Sequence, residues 1–285
     1  MAFLINGKME KQLTVAIQGI RGSYHHVAVE KYFGVESDFV ECVNFKGVPV
    51  AIEDGRADYG VMAIENSIAG SLLQNHKLLG LPGQKIVGEV YVQIDHCLLV
   101  NPGVRMEDIT EIESHPMALL QCGNFLDQYP EIRLMESDDT ARSARKVASK
   151  KLKTTAAIAS ELCSRLFGLE ILGQGIQTMK NNYTRFFVIG HSGDPVPDDA
   201  DKASIRFVTK HEAGSLAKIL NVFAMHGLNL TKIQSVAIME HPWEYAFYAD
   251  VMFPSLATFH AALEVVSHQT EELDIQGIYK HNTTK

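Results

Sequence analysis

The sequence predicts an α/β chain in two parts. A larger α/β domain with two lobes is followed by a small βαββαβ module of ferredoxin-like order. Three observations carry this. Short apolar runs are followed by small polar residues and then by helical patterns, at Ser23, Asn66-Ser67, Ser114, Thr140 and Ser160. The run His191-Ser192-Gly193-Asp194-Pro195-Val196-Pro197-Asp198-Asp199-Ala200-Asp201 is rich in glycine, proline and acid, and reads as a linker. After it the order is strand, helix, two strands, helix, strand. The expected boundaries are 1–190 for the first domain (second lobe about 95–175), 191–202 for the linker and 203–285 for the last module.

Leu13 to Gln18 is a short apolar strand, and Gly19-Ile20-Arg21-Gly22-Ser23 turns it into a helix from Tyr24 to about Phe33. Glycines there permit close backbone approach, and Ser23 is suited to cap the helix. The dinucleotide fingerprint is not met, because it needs a third glycine three residues after the second. Phe39 to Val43 is a strand, Lys46 to Gly55 a helix, and Tyr59 to Ile64 a nearly all-apolar strand. That strand ends in Glu65-Asn66-Ser67, with a helix expected over Ile68 to Leu79. A carboxylate and an amide at the C-terminal end of a buried strand stand where open α/β sheets place ligands. Glu65 also reads as a first-turn acid favoured by the helix dipole.

Val87 to Val92 and His96 to Val100 are strands, with the crossing into the second lobe near 93–96. Ile109 to Glu113 is a strand, and Ser114-His115-Pro116 opens a helix over Met117 to Tyr129, with Ser114 able to cap it. His115 is a general acid, a donor to a carboxylate or a plain loop residue. Ile132 to Glu136, the helix Ala141 to Ser149, the strand Ala156 to Ala159 and a helix ending at Gly168 follow. The basic run from Arg142 to Lys153 reads as a solvated helix face. Asn181-Asn182-Tyr183-Thr184-Arg185 then reads as a loop feeding the buried strand Phe186 to Ile189. A guanidinium at a strand mouth suits a carboxylate, and a hydroxyl beside it can bond a leaving oxygen. If the two lobes face each other, their helix N-termini form a cleft that suits a substrate with two carboxylates.

Beyond the linker, Ala203 to Thr209 is a strand and Gly214-Ser215-Leu216 opens the helix Leu216 to His226. Leu230 to Met239 and Tyr245 to Met252 form a hairpin, Leu256 to Gln269 is a helix and Ile275 to Tyr279 the last strand.

Composition limits the function classes. The chain has 285 residues, 46% of them hydrophobic, 21% charged, and a formal net charge of -8. A general nucleic-acid or anionic-membrane surface does not fit that charge. The cysteines at 42, 97, 122 and 163 show no paired spacing and read as reduced core residues of a cytoplasmic protein. Met1 to Gln12 lacks the apolar core of a signal peptide, no stretch has the length of a membrane span, and the glycosylation patterns at Asn182, Asn229 and Asn282 are expected to be silent.

These motifs together resemble the prephenate dehydratase family. The resemblance rests on Gly19-Ile20-Arg21-Gly22-Ser23-Tyr24, Gly60-Val61-Met62-Ala63-Ile64-Glu65-Asn66-Ser67, Ser114-His115-Pro116 with Gln121-Cys122, Asp139-Thr140-Ala141, Ala157-Ile158-Ala159-Ser160 and Asn182-Tyr183-Thr184-Arg185-Phe186. The last module resembles the family's ACT regulatory domain through Gly214-Ser215-Leu216, Asn229-Leu230-Thr231-Lys232-Ile233 and Trp243-Glu244-Tyr245. The match runs roughly from residue 13 to 280.

The resemblance implies a periplasmic-binding-protein-like catalytic domain and decarboxylating dehydration of prephenate to phenylpyruvate, with no cofactor or metal. It implies Thr184 as the donor to the leaving hydroxyl, with Glu65 as rival, and Arg185 on a substrate carboxylate. Asn66 and Ser67 would orient the ring, and Ser23, Ser114, His115, Gln121, Thr140, Ser160 and Phe186 would line the cleft. Phenylalanine would bind where two ACT modules meet, at Gly214, Ser215, Leu216, Asn229, Leu230, Gln234 and Ser235, in a homodimer or homotetramer. Departures from the family are Ile20 and Ala63 for proline, His25 for a small hydroxyl residue, Thr178 for aspartate and Gln234-Ser235-Val236-Ala237 in the regulatory module. No chorismate mutase helix precedes residue 13, so one activity is expected. The rival readings are an arogenate dehydratase and a non-catalytic amino-acid sensor.

Overall fold

The structure is a computed structural model that describes residues 12–34, 37–238 and 244–282. Trp243, Met239 at the end of an expected strand, and Thr283 and Thr284 lie outside the described residues. The chain divides into two compact units, one of 1–71 with 91–186 and one of 72–90 with 187–285.

The elements begin with β1 (Thr14–Gln18), α1 (Tyr24–Phe33), β2 (Asp38–Cys42), α2 (Gly47–Glu53), β3 (Tyr59–Asn66) and β4 (Gly70–Ser71). After α3 (Leu73–His76) and β5 (Gln84–Gln93) come β6 (Cys97–Val100), β7 (Glu111–Ser114), α4 (Pro116–Gln121), α5 (Gly123–Leu126) and β8 (Arg133–Glu136). Then follow α6 (Thr140–Ser149), β9 (Thr155–Ala159), α7 (Glu161–Phe167), β10 (Glu170–Gly173) and β11 (Tyr183–His191). The last elements are β12 (Lys202–Thr209), α8 (Ser215–Met225), β13 (Asn229–Ala237), β14 (Tyr245–Met252), α9 (Leu256–Ser267) and β15 (Thr270–Tyr279).

The first unit holds two sheet layers. In one, the order is β11-β3-β1-β2, with β1 parallel to both β2 and β3 and β4 folded back on β3. In the other, the order is β10-β6-β9-β7-β8; β7 runs parallel to β8 and β9, while β6 is antiparallel to β9 and β10. β9 is buried along its whole length and is mostly alanine. Those small side chains let α6 lie close through Ala141, Ser143, Ala144 and Val147, spaced along one helical face. The charged residues of α6 fall on its other side, as expected for a solvated face.

The second unit has strand order β13-β14-β12-β15-β5, with β12, β14 and β13 antiparallel in turn. Its core gathers Ile205, Phe207, Ile219, Phe223, Val251 and Phe259 under the two helices α8 and α9. β15 meets β5 where Gly277 faces Ile86; a Cβ at Gly277 would stand 2.1 Å from the Ile86 carbonyl oxygen, so only glycine fits there. The four cysteines are free thiols, all buried, and burial pushes Cys97 up to about 11 and Cys122 and Cys163 to about 12. Among the described residues no helix is long and apolar enough to cross a membrane.

The structure corrects four local expectations. The expected helix over Ile68 to Leu79 is instead a turn, the short strand β4 and the four-residue α3. Turn chemistry prevails because the Asn66 carbonyl Oδ1 accepts from the N–H of both Ile68 and Ala69, and Gly70 takes φ 80. Ser114 does not cap: it ends β7 and donates to the Ile158 carbonyl at 2.6 Å, while His115 caps α4 by accepting from Met117 N. The helix expected over Met117 to Tyr129 breaks at Cys122 into α4 and α5. Asp139-Thr140 opens α6 as the sequence reads, with Asp139 as the cap and Thr140 as the first helical residue. Thr184 and Arg185 lie inside β11 rather than in a loop before it.

Candidate active site

The site grows from the ends of β3 and β11. Asn66 Nδ2 donates to Thr184 Oγ1 at 3.0 Å and to Asn182 Oδ1 at 2.7 Å. Asn182 Nδ2 donates to Gln121 Oε1 at 3.1 Å, and Gln121 Oε1 lies 3.0 Å from His96 Nε2. His96 Nδ1 lies 2.9 Å from the Tyr24 hydroxyl, which reaches the Asp95 carbonyl at 2.8 Å. One hydrogen-bonded line thus joins both sheet layers of the first unit. Thr184 and Asn182 are buried, and Asn66 is half-buried. Because Thr184 Oγ1 accepts from Asn66, its own hydroxyl proton remains available to a ligand.

Arg185 Nη1 stands 3.8 Å from Glu65 Oε2, and its guanidinium lies 5.9 Å from the centre of the Tyr91 ring. Successive side chains of a strand leave on opposite faces. The contacts follow that rule, with Thr184 meeting Asn66 and Arg185 meeting Glu65. The two pairs therefore leave β11 and β3 on opposite faces. Sequence reasoning had put Thr184 and Arg185 on one ligand because it took them for loop residues. Phe186, buried, lies edge-on to His25 with ring centres 5.0 Å apart. His25 is a core residue that accepts from Ala63 N, and burial lowers its pKa to about 3.

The remaining expected residues divide in two. Ser67 accepts from Tyr183 N at 2.9 Å and donates to the Asn181 carbonyl, so it fastens the β3–β4 turn to β11. Ser23 caps α1 through His26 N, and Ser160 donates to the Gly22 carbonyl at 2.7 Å. With Ser114 on Ile158, these hydroxyls are engaged by backbone. Thr140 and His115 are half-buried at the starts of α6 and α4. Burial raises the pKa of the Asp139 carboxyl at the head of α6, and a Cβ on Gly19 would meet it at 2.7 Å. Beside Gln121 and Asn182 lies a cavity of about 420 Å³ with Ile68, Met117, Leu120 and Met179 on its wall.

Sequence reasoning missed His96, Tyr24 and Gln177. Gln177 Oε1 accepts from His96 N, and its Nε2 donates to Asp95 Oδ1 at 2.6 Å. The one signal available was the placement of Asp95 and His96 where the chain crosses between lobes.

On the second unit, a cavity of about 630 Å³ is lined by Thr209, Gly214, Ser215, Leu216, Tyr245 and Phe247, among others. Gly214 is the N-cap of α8 with φ 84. Asn229, Leu230, Gln234 and Ser235 lie apart from this cavity on β13, at the end of the strand order.

Fold and site together define the class: an α/β protein with a hydrogen-bonded hydroxyl at the ends of two neighbouring strands. Residues 15–194 match the family model described as prephenate dehydratase, and the chain belongs to that family. Arogenate dehydratase/prephenate dehydratase 2, chloroplastic, of Arabidopsis thaliana is 36% identical over 288 residues, covering 96% of this chain and 74% of the relative. The prephenate dehydratase of Arthrobacter aurescens, solved in complex with L-Phe, superposes with TM-score 0.84 at 25% identity, over 94% of this chain and 90% of that one. GqqA, described as a novel type of quorum quenching acylase, superposes with TM-score 0.85 at 30% identity, over 94% of this chain and 98% of that one.

Proposed function

We propose that the chain converts prephenate to phenylpyruvate, with Thr184 as the donor to the departing hydroxyl. The ring loses CO2 and hydroxide and becomes aromatic, so the protein's task is to hold the substrate and assist one leaving group. The observation that carries this is the 3.0 Å bond from Asn66 Nδ2 to Thr184 Oγ1. A hydroxyl that accepts from an amide is oriented as a donor, and its proton is made more acidic by the bond it receives. Glu65, the rival donor, is engaged with Arg185 on the other strand face. In this reading Arg185 and Glu65 brace the strand ends behind Thr184. The assay is purified protein with prephenate, monitored for phenylpyruvate. With arogenate in parallel it separates the two substrates named among the relatives. Appearance of neither aromatic product would end the proposal.

The βαββαβ order of β12-α8-β13-β14-α9-β15 supports an ACT-type regulatory module. Phenylalanine, present in the Arthrobacter aurescens relative, is the proposed effector, taken up near Gly214, Ser215 and Leu216. β13, with Asn229, Leu230, Gln234 and Ser235, is an edge suited to a second copy in a homodimer or homotetramer. A cytoplasmic location belongs to the same proposal. Calorimetry with phenylalanine, repeated on Gly214→Val, tests the site; equal heats from both proteins would move the effector elsewhere.

A further inference from the structure

We infer that His96 is a positioning residue: held as its Nε2–H tautomer, it fixes the polarity of the amide chain that presents Thr184 as a donor. This rests on the role proposed for Thr184.

Backbone N–H groups only donate, and those of Ile68 and Ala69 point at one atom of Asn66, at 3.0 and 2.9 Å. That atom is therefore the carbonyl Oδ1, and Nδ2 faces Thr184 and Asn182. Asn182 must present Oδ1 to it, which turns Asn182 Nδ2 toward Gln121. Gln121 must then present Oε1. The same oxygen lies 3.0 Å from His96 Nε2, and two lone pairs would repel there. His96 Nε2 must carry hydrogen.

The other ring nitrogen completes the assignment. His96 is 2% exposed, and burial lowers its pKa, so the ring is neutral. Nδ1 then carries no hydrogen, and Tyr24, whose pKa burial raises, keeps its single proton, which lies between two acceptors, Nδ1 at 2.9 Å and the Asp95 carbonyl oxygen at 2.8 Å. Gln177 Oε1 accepts from the His96 backbone N–H, and Gln177 is itself anchored by Nε2 donating to Asp95 Oδ1. The chain tolerates only one polarity. The reverse tautomer would turn Gln121, then Asn182, and would set Asn182 Nδ2 against Asn66 Nδ2, which the two backbone N–H groups keep in place. Breaking the far end lets Gln121 turn and leaves Asn182 Nδ2 without a fixed acceptor, so Asn66 keeps its polarity but loses the fixed Asn182 oxygen that helps aim its Nδ2 beside Thr184.

The test has two arms on the full chain. In ¹⁵N-histidine-labelled wild type, His96 should show a protonated Nε2 and a bare Nδ1; a protonated Nδ1 with bare Nε2 would overturn the inference. This arm needs no turnover, so it stands even if the substrate assignment fails. In the kinetic arm, His96→Leu should lower kcat for prephenate on the order of 10-fold with KM within about 2-fold. His96→Gln, which restores an amide N–H toward Gln121, should recover most of the loss. A folded His96→Leu with wild-type kcat, or no recovery in His96→Gln, would also overturn it. Loss of turnover in the wild type itself would instead strike the proposed reaction.

Discussion

At the scale of single residues, the site separates one hydroxyl from its rivals. Thr184→Val keeps the shape but removes the proton, so kcat for prephenate should fall on the order of 10²-fold or more with little change in KM. Glu65→Gln leaves Thr184 and Asn66 untouched, and its kcat should stay within about 10-fold of wild type. Steady-state kinetics on both variants measures this, and a larger loss in Glu65→Gln would return the donor role to the carboxylate. A second prediction concerns His25 and His26. Burial lowers their pKa values to about 3 and about 4, from 6.5 in the unfolded chain. Below pH 6.5 the unfolded chain takes up protons that the folded chain refuses, so stability present above that pH is lost as pH falls toward 4. Each histidine contributes a slope approaching about 1.4 kcal/mol per pH unit. Urea unfolding of wild type between pH 7 and 4 should show this slope, and His25→Leu should flatten it by one histidine's share.

At the scale of elements, legibility followed the range of the interactions. The apolar runs Tyr59 to Ile64 and Phe186 to Ile189 fall inside β3 and β11, and β14 spans Tyr245–Met252 as expected, because strand patterning is local. The Gly19 to Ser23 turn was also legible, with Ser23 capping α1. The helix expected after Ser67 failed because one side chain, Asn66, bonds two backbone N–H groups and holds the turn. Periodicity does not register that chemistry. The line from Thr184 to Tyr24 was illegible for another reason: Tyr24 and His96 are 72 residues apart, and Asn66 and Thr184 118 apart. The same turn before α1 gives the element-scale prediction. Gly22 has φ 95, its carbonyl accepts from Ser160, and a Cβ would lie 2.8 Å from Cys163 Sγ. Gly22→Ala should therefore cost on the order of 2 kcal/mol in chemical denaturation. Gly34→Ala, also at positive φ but with open space around it, should cost less.

At the scale of the whole molecule, the second unit includes a buried ion pair joining distant parts of the chain. Lys202 Nζ lies 2.9 and 3.0 Å from the two carboxylate oxygens of Glu89, and the side chains are 1% and 0% exposed. The C-terminal segment closes over the same carboxylate, with His281 Nδ1 at 2.8 Å and Asn282 Nδ2 on the Glu89 carbonyl. Three stretches of sequence, in β5, at the start of β12 and after β15, thus meet on one charge. Desolvating two ions consumes most of their attraction, so the pair adds little net stability over an apolar core. Its strength lies in the penalty for removing one partner. Lys202→Met should destabilise the chain by about 3–5 kcal/mol, because Glu89 loses its ammonium partner in a dry site. Adding Glu89→Leu to that variant should recover a large part of the loss, although neither ion remains. Urea denaturation of wild type, both single variants and the double variant gives the coupling energy directly. A double variant no more stable than Lys202→Met would mean that His281 and Asn282, not the lysine, are the partners that make this carboxylate tolerable.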